Sequence, residues 1–266
     1  MHNIIVFIFG LFIGSFLNCV VYRLELKCRG GVLPPDNRKG EKTSPLRGRS
    51  FCPECRHTLS WLDLIPIFSY LFLQGRCRYC SKHISIQYPL VELATAILFV
   101  AILNHESGIM NYEFLFIILY SLFLIPIFVY DLKHFIIPDR ILFPAIIIAL
   151  GYIFIFNYEL ITNHIFSALA VSGFFGAIVL VSRGKWMGMG DVKLAILIGL
   201  LLGFPNILIS LFFAFLIGAI IGVGLIFLKK KTLKSEVPFG PFLILGIYIA
   251  LFFGDQIVKW YLNILI

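Results

Sequence analysis

Only 14% of the 266 residues are charged and 60% are hydrophobic, with a mean hydropathy of +0.96. A soluble domain carries about 25% charged residues, so a water-soluble globular protein is excluded, and apolar runs of about twenty residues predict a polytopic membrane protein. The net charge of +8 does not point to nucleic acid, because 12 of the 22 Lys and Arg residues lie between Arg23 and Lys82 and most others fill short gaps between apolar runs.

The expected fold is all-α, with about eight transmembrane helices and a cytoplasmic four-cysteine loop after the first. The spans are expected near 3–22, 86–103, 113–131, 136–157, 162–182, 190–203, 206–228 and 238–254. The gaps around 104–112 and 158–161 hold no Lys or Arg, and the intervening gaps are basic. With the N-terminus outside, 21 of the 22 basic residues fall at or near the cytoplasmic face, and only Lys259 does not. Both termini then lie outside. The first run has its positive charge after the apolar stretch, so it is expected to be an uncleaved anchor and not a signal peptide. Asn18 precedes Cys19 where a lipoprotein site needs a small residue, and Cys19 and Cys28 are expected to be ordinary thiols.

The segment after the first span opens with LKCRGGVLPPDNRKGEKTSPLRGR, rich in Gly, Pro and charge, and is expected to be loop. Two C-x2-C pairs follow, Cys52 with Cys55 and Cys77 with Cys80. A tight turn brings the two sulfurs of such a pair to one centre, and two pairs complete the four-thiolate tetrahedron that zinc favours. The 21 residues between the pairs imply a sizeable insert. A reducing cytosol disfavours disulfides as the alternative. A complete thiolate shell leaves no open coordination position, so this zinc is expected to be structural.

Two aspartates stand at the ends of expected spans: Asp131 in VYDLKHFIIPDR and Asp191 in GMGDVKL. Ionisable groups there are costly and need an account. Paired carboxylates share one proton, so one member can take a proton from an attacking water while the other donates to a carbonyl oxygen. Gly188 and Gly190 would allow close approach of a backbone. Alternatively each aspartate caps a helix or pairs with Lys133 or Lys193, and Asp139 suits an N-terminal cap best. An ion- or proton-coupled transporter using Asp131 and Asp191, a metal-dependent lipid or phosphoryl transferase, and a membrane-anchored zinc scaffold are rival functions.

YDLKHFIIPD and MGMGDVKL together resemble the two aspartate motifs of the type IV prepilin peptidases, GxGD membrane aspartic proteases. GSFLNCVVYR (Gly14 to Arg23) resembles that family's first-span motif, and VPFGPFL (Val237 to Leu243) its last-span motif. The cysteine-bearing stretch from Phe51 to Glu92 resembles its cytoplasmic segment. The resemblance implies that Asp131 and Asp191 are the catalytic pair. It further implies prepilin or pseudopilin substrates, cleaved after a short basic leader at the cytoplasmic face of the bacterial plasma membrane. N-methylation of the new N-terminus with S-adenosylmethionine is implied as well, without assigning residues to the methyl donor. The organisation expected is a first transmembrane helix at 1–22, a four-cysteine zinc segment at 23–85 and a seven-helix protease domain at 86–266. Its partners are the pilin substrate and membrane lipid, with no nucleic acid.

Overall fold

A computed structural model describes residues 2–28, 50–105, 112–228 and 237–265. Most of the expected Gly/Pro-rich loop, most of the gap at 104–112, and the basic group Lys229 to Lys231 with Lys234 lie outside the described residues. The described residues form nine α-helices: α1 (His2–Cys28), α2 (Phe68–Phe72), α3 (Gln87–His105), α4 (Tyr112–His134), α5 (Asp139–Phe156), α6 (Ile161–Ser182), α7 (Met189–Leu202), α8 (Asn206–Phe227) and α9 (Gly240–Leu265). The chain divides into two compact units, Met1–Pro126 and Ile127–Ile266.

In the first unit, α1 and α3 pack antiparallel. Gly10 faces Ala96 and Gly14 faces Glu92, and a Cβ on either glycine would sit 2.6 or 2.7 Å from the opposing Cα. Small residues four apart let two helix backbones approach closely, which in lipid is a main source of association energy. One turn further on, the Asn18 side-chain amide donates to the Tyr88 carbonyl at 3.0 Å and holds the same register.

In the second unit, α7 is the buried centre. Leu194, Ala195, Leu197, Ile198, Gly199, Leu200 and Leu202 are all buried, which puts apolar cover around its whole circumference. Gly199 lies against the Ala168 backbone, and Gly203 against His164, so α6 and α7 run antiparallel. The His164 ring nitrogen lies 2.8 Å from the Leu200 carbonyl oxygen, and Asn163 bonds both the N–H and the carbonyl of Phe204, pinning the C-terminal end of α7. Helices α8 and α9 pack by the same device, with Gly246 on Ser210 and Gly254 on Asn206.

All eight expected spans appear as helices, but they are not equivalent. Among the described residues, seven helical stretches are long and apolar enough to cross a membrane. The 14 residues of α7 rise only ~21 Å against a hydrocarbon core of ~30 Å. Surrounded by protein on every side, α7 need not reach the headgroups by itself.

Candidate active site and metal centre

Asp131 lies three residues before the end of α4, where Phe135 takes positive φ (57°) and donates its N–H to the Asp131 carbonyl. Its side chain is 4% exposed and accepts the Gly240 N–H at 3.1 Å, from the first residue of α9. A helix N-terminus directs unpaired N–H groups and positive potential at an anion, which accounts for a carboxylate in this place. A Cβ on Gly240 would sit 2.6 Å from Asp131 Oδ2, so only glycine permits this approach.

Asp191 occupies the third helical position of α7, with Gly188 as the N-cap in extended conformation. Its carboxylate is approached by the Gly188 backbone N–H, and the charge of Asp131 acts on it. Asp191 is half-buried, whereas Asp131 is buried. The α6–α7 register of Gly199 beside Ala168 carries Asp191 to about the level of Gly176, six residues or ~9 Å before α6 ends at Ser182. The start of α7 is therefore recessed within the bundle, deeper than the end of α6.

Ile137 connects the two carboxylate-bearing corners. A Cβ on Gly190 would meet Ile137 Cβ at 3.2 Å, and one on Gly240 would meet Ile137 Cδ1 at 3.4 Å. The space at Gly190 is thus filled by the chain's own Ile137. Gly188 differs, since a Cβ there would have no neighbour nearer than 3.8 Å. Neither Gly240 nor Ile137 stands out from local sequence, although Gly240 lies inside the quoted VPFGPFL stretch. The missing signal was which residue its backbone would face.

The lysine proposed as a neutralising partner for Asp191 is engaged elsewhere. Lys193 Nζ bonds both Asp139 carboxylate oxygens at 2.8 Å and lies 5.5 Å from the centre of the Phe143 ring. Asp139 is not the N-cap of α5. That position belongs to Pro138, Asp139 is the first helical residue, and no side-chain cap bond forms. Proline's fixed φ suits it to a helix start, which leaves Asp139 to pair across to α7.

In the first unit the four sulfurs of Cys52, Cys55, Cys77 and Cys80 lie within 4.8 Å of one another, with Cys52 Sγ and Cys80 Sγ 3.9 Å apart. Four thiolates at ~2.3 Å from one zinc would sit about 3.8 Å apart, so the cluster fits that ion. Each C-x2-C pair builds the same turn. Phe51 bridges Thr58 and Arg76 bridges His83, while Cys52 N–H donates to His57 and Cys77 N–H to Lys82. Arg56 and Ser81, each directly after the second cysteine, take matching positive φ of 58° and 57°. This duplication is invisible in composition, because FCPECRHT and RCRYCSKH share little beyond the cysteines. The expected insert between the pairs is a 3-10 turn (Trp61–Leu64) followed by α2, tied back to the second pair by an Asp63–Arg78 ion pair of 2.8 Å.

The thiols differ in acidity before any metal binds. Burial pushes Cys52 up to about 12. At Cys77 burial acts in the same direction, but the Cys80 and Tyr79 amides and the neighbouring thiols outweigh it and lower the value to about 7. Cys77 therefore ionises before Cys52.

These features define a class: a multi-pass helical membrane protein with an interacting aspartate pair inside one bundle and a four-thiol metal-type cluster in a separate unit. Residues 8–105 match the Bacterial Peptidase A24 N-terminal domain, and residues 118–223 match the Type IV leader peptidase family. The chain is 34% identical to the prepilin leader peptidase/N-methyltransferase of Aeromonas salmonicida, over 97% of this chain and 93% of that one. It is 33% identical to the protein of that name from Bacillus subtilis, over 97% of both chains. It is 32% identical to the one from Pseudomonas aeruginosa, over 96% of this chain and 91% of that one. No solved structure matches. The chain belongs to the type IV leader peptidase family. Membership in a peptidase family sets aside the transporter and scaffold readings.

Proposed function

We propose that this chain is an aspartic endopeptidase that removes the short basic leader of type IV prepilins or pseudopilins at the cytoplasmic face of the bacterial plasma membrane. It then methylates the exposed α-amino group using S-adenosylmethionine. The observation that carries the peptidase reading is the interacting pair Asp131 and Asp191, each set against a backbone N–H at a helix start. One aspartate holds a proton and the other is anionic. The anionic member accepts a proton from water as that water attacks the scissile carbonyl. The protonated member donates to the carbonyl oxygen as negative charge develops there. The leaving amine is then protonated and the leader departs. Gly188, exposed and without a close neighbour, leaves room for the substrate backbone beside Asp191.

The substrate class agrees with this placement, because a prepilin joins a basic leader to an apolar helix and so presents its cleavage site at the membrane surface. Cys52, Cys55, Cys77 and Cys80 would hold a structural zinc, which would lock the two matching turns together without taking part in cleavage. The test is leader removal from a prepilin peptide by purified wild type, Asp131→Asn and Asp191→Asn. Both variants, correctly inserted, are expected to lose cleavage. Near wild-type turnover by either would overturn the two-aspartate mechanism.

A further inference from the structure

Residues 59–74, the insert between the two cysteine turns, carry a single charged side chain, Asp63. It is drawn inward, 4% exposed and paired with Arg78 at 2.8 Å. What the insert turns outward is apolar. Trp61 is 73% exposed and Phe72 85%, and Leu62, Leu64, Phe68 and Leu71 are exposed as well. Phe68, Leu71 and Phe72 stand at i, i+3 and i+4, so they share one face of α2. Ser69, Tyr70 and Leu73, the remaining positions around α2, line a cavity together with residues of α1 and α3. An uncharged apolar patch of this size marks a surface that meets lipid or another protein.

A hydrogen bond sets the depth of this face. The Ile67 N–H, one residue before α2, donates to the Glu92 carboxylate at 2.8 Å. Glu92 is the sixth residue of α3, ~7.5 Å along the helix, and its side chain leans back toward the helix start. Ile67 therefore stands level with the first two turns of α3. The 19 residues of α3 rise ~28 Å against a hydrocarbon core of ~30 Å, so a crossing uses the whole helix. Its first turn then lies at the hydrocarbon edge. On α1, Gly14 meets Glu92, and the helix runs on ~21 Å past that level to Cys28. The start of α2 thus lies alongside these two helices near the membrane boundary, and not beyond their ends. At that depth the medium around an outward apolar face is lipid.

We propose that the outward face of the insert, formed by Phe68, Leu71 and Phe72 with Trp61, docks on membrane lipid where headgroups meet acyl chains. Tryptophan favours that level, because its ring is apolar while its N–H still finds a polar partner. A helix lying in this plane buries its apolar face by ~5–10 Å. The docked insert ties the four-cysteine cluster to the membrane surface. The proposal is independent of leader cleavage and of methyl transfer.

The test reads the depth of two tryptophans in the full-length protein. Trp186→Phe with Trp260→Phe leaves Trp61 as the one tryptophan of the chain. A second reporter adds Trp61→Phe and Phe72→Trp to that background. Each protein is placed in phosphatidylcholine nanodiscs whose acyl chains are plain, brominated near the glycerol, or brominated near the methyl end. Emission is read with and without iodide in the water. Shallow bromines are expected to remove more than about half of the emission at both positions, deep bromines less, and iodide little. Equal emission in plain and brominated lipid at either position, with ready quenching by iodide, would overturn the lipid assignment. Quenching by the deep bromines alone would overturn the interfacial depth. Shielding from iodide that appears only when a prepilin peptide is added would make this face a substrate dock instead, and the lipid assignment would be wrong.

Discussion

Gly240→Ala isolates the geometry that holds Asp131. The added Cβ would lie 2.6 Å from Asp131 Oδ2, 3.3 Å from its Cγ and 3.4 Å from Ile137 Cδ1. An ordinary contact begins near 3.4 Å, so the carboxylate must retreat by about 0.8 Å or α9 must move. Either change opens the 3.1 Å bond from Gly240 N–H, and a hydrogen bond to a charged group is worth ~1.5–3 kcal/mol. A displacement of ~1 Å at a reacting group costs about 100-fold in rate. The expected result is therefore a fall of about 100-fold in kcat/KM, with membrane insertion near wild type and stability lowered by up to ~3 kcal/mol through the lost hydrogen bond. The assay is initial leader cleavage in detergent, alongside thermal unfolding. Gly222→Ala, with nothing within 4 Å of its new Cβ, serves as the neutral control. Wild-type cleavage by Gly240→Ala would show that the position imposed on Asp131 by α9 does not matter to the reaction.

Zinc retention should weaken as pH falls between about pH 8 and 6, because protons compete for thiolates. Cys77, lowered to about 7, is protonated within that window, while Cys52, raised to about 12, needs the metal to ionise at all. Chelator competition at several pH values reads this directly, and a pH-independent affinity would contradict the four-thiolate shell. Lys193→Gln removes a pair whose side chains are 32% and 50% exposed, so stability should fall by no more than ~1 kcal/mol and cleavage should change little. A collapse of activity in that variant would mean that Lys193 serves the aspartates directly. Gly199→Val drives a side chain into the Ala168 backbone and should destabilise the second unit by at least ~1–3 kcal/mol, seen as a lower unfolding temperature in detergent.

Amino-acid order alone determined the features that depend on neighbours along the chain. Apolar runs locate α1 and α3 to α9, because burying a backbone in lipid demands a continuous apolar helix. The C-x2-C spacing predicts a four-sulfur cluster, since each pair needs only its own tight turn. The motifs around Asp131 and Asp191 marked two carboxylates as costly and therefore in need of a role. Helix–helix register was decided elsewhere, by which glycine meets which backbone. That register buries the short α7 at the centre of its unit and recesses Asp191. It also brings Gly240 onto Asp131 across 109 residues and turns Lys193 toward Asp139. The same cause hid Asn18 and Glu92, which look like isolated polar residues in apolar runs until Gly10 and Gly14 set α1 against α3. Local sequence decides which segments leave water. Which side chains meet afterwards follows from steric fit between segments far apart in the chain, and that is a property of the packed structure.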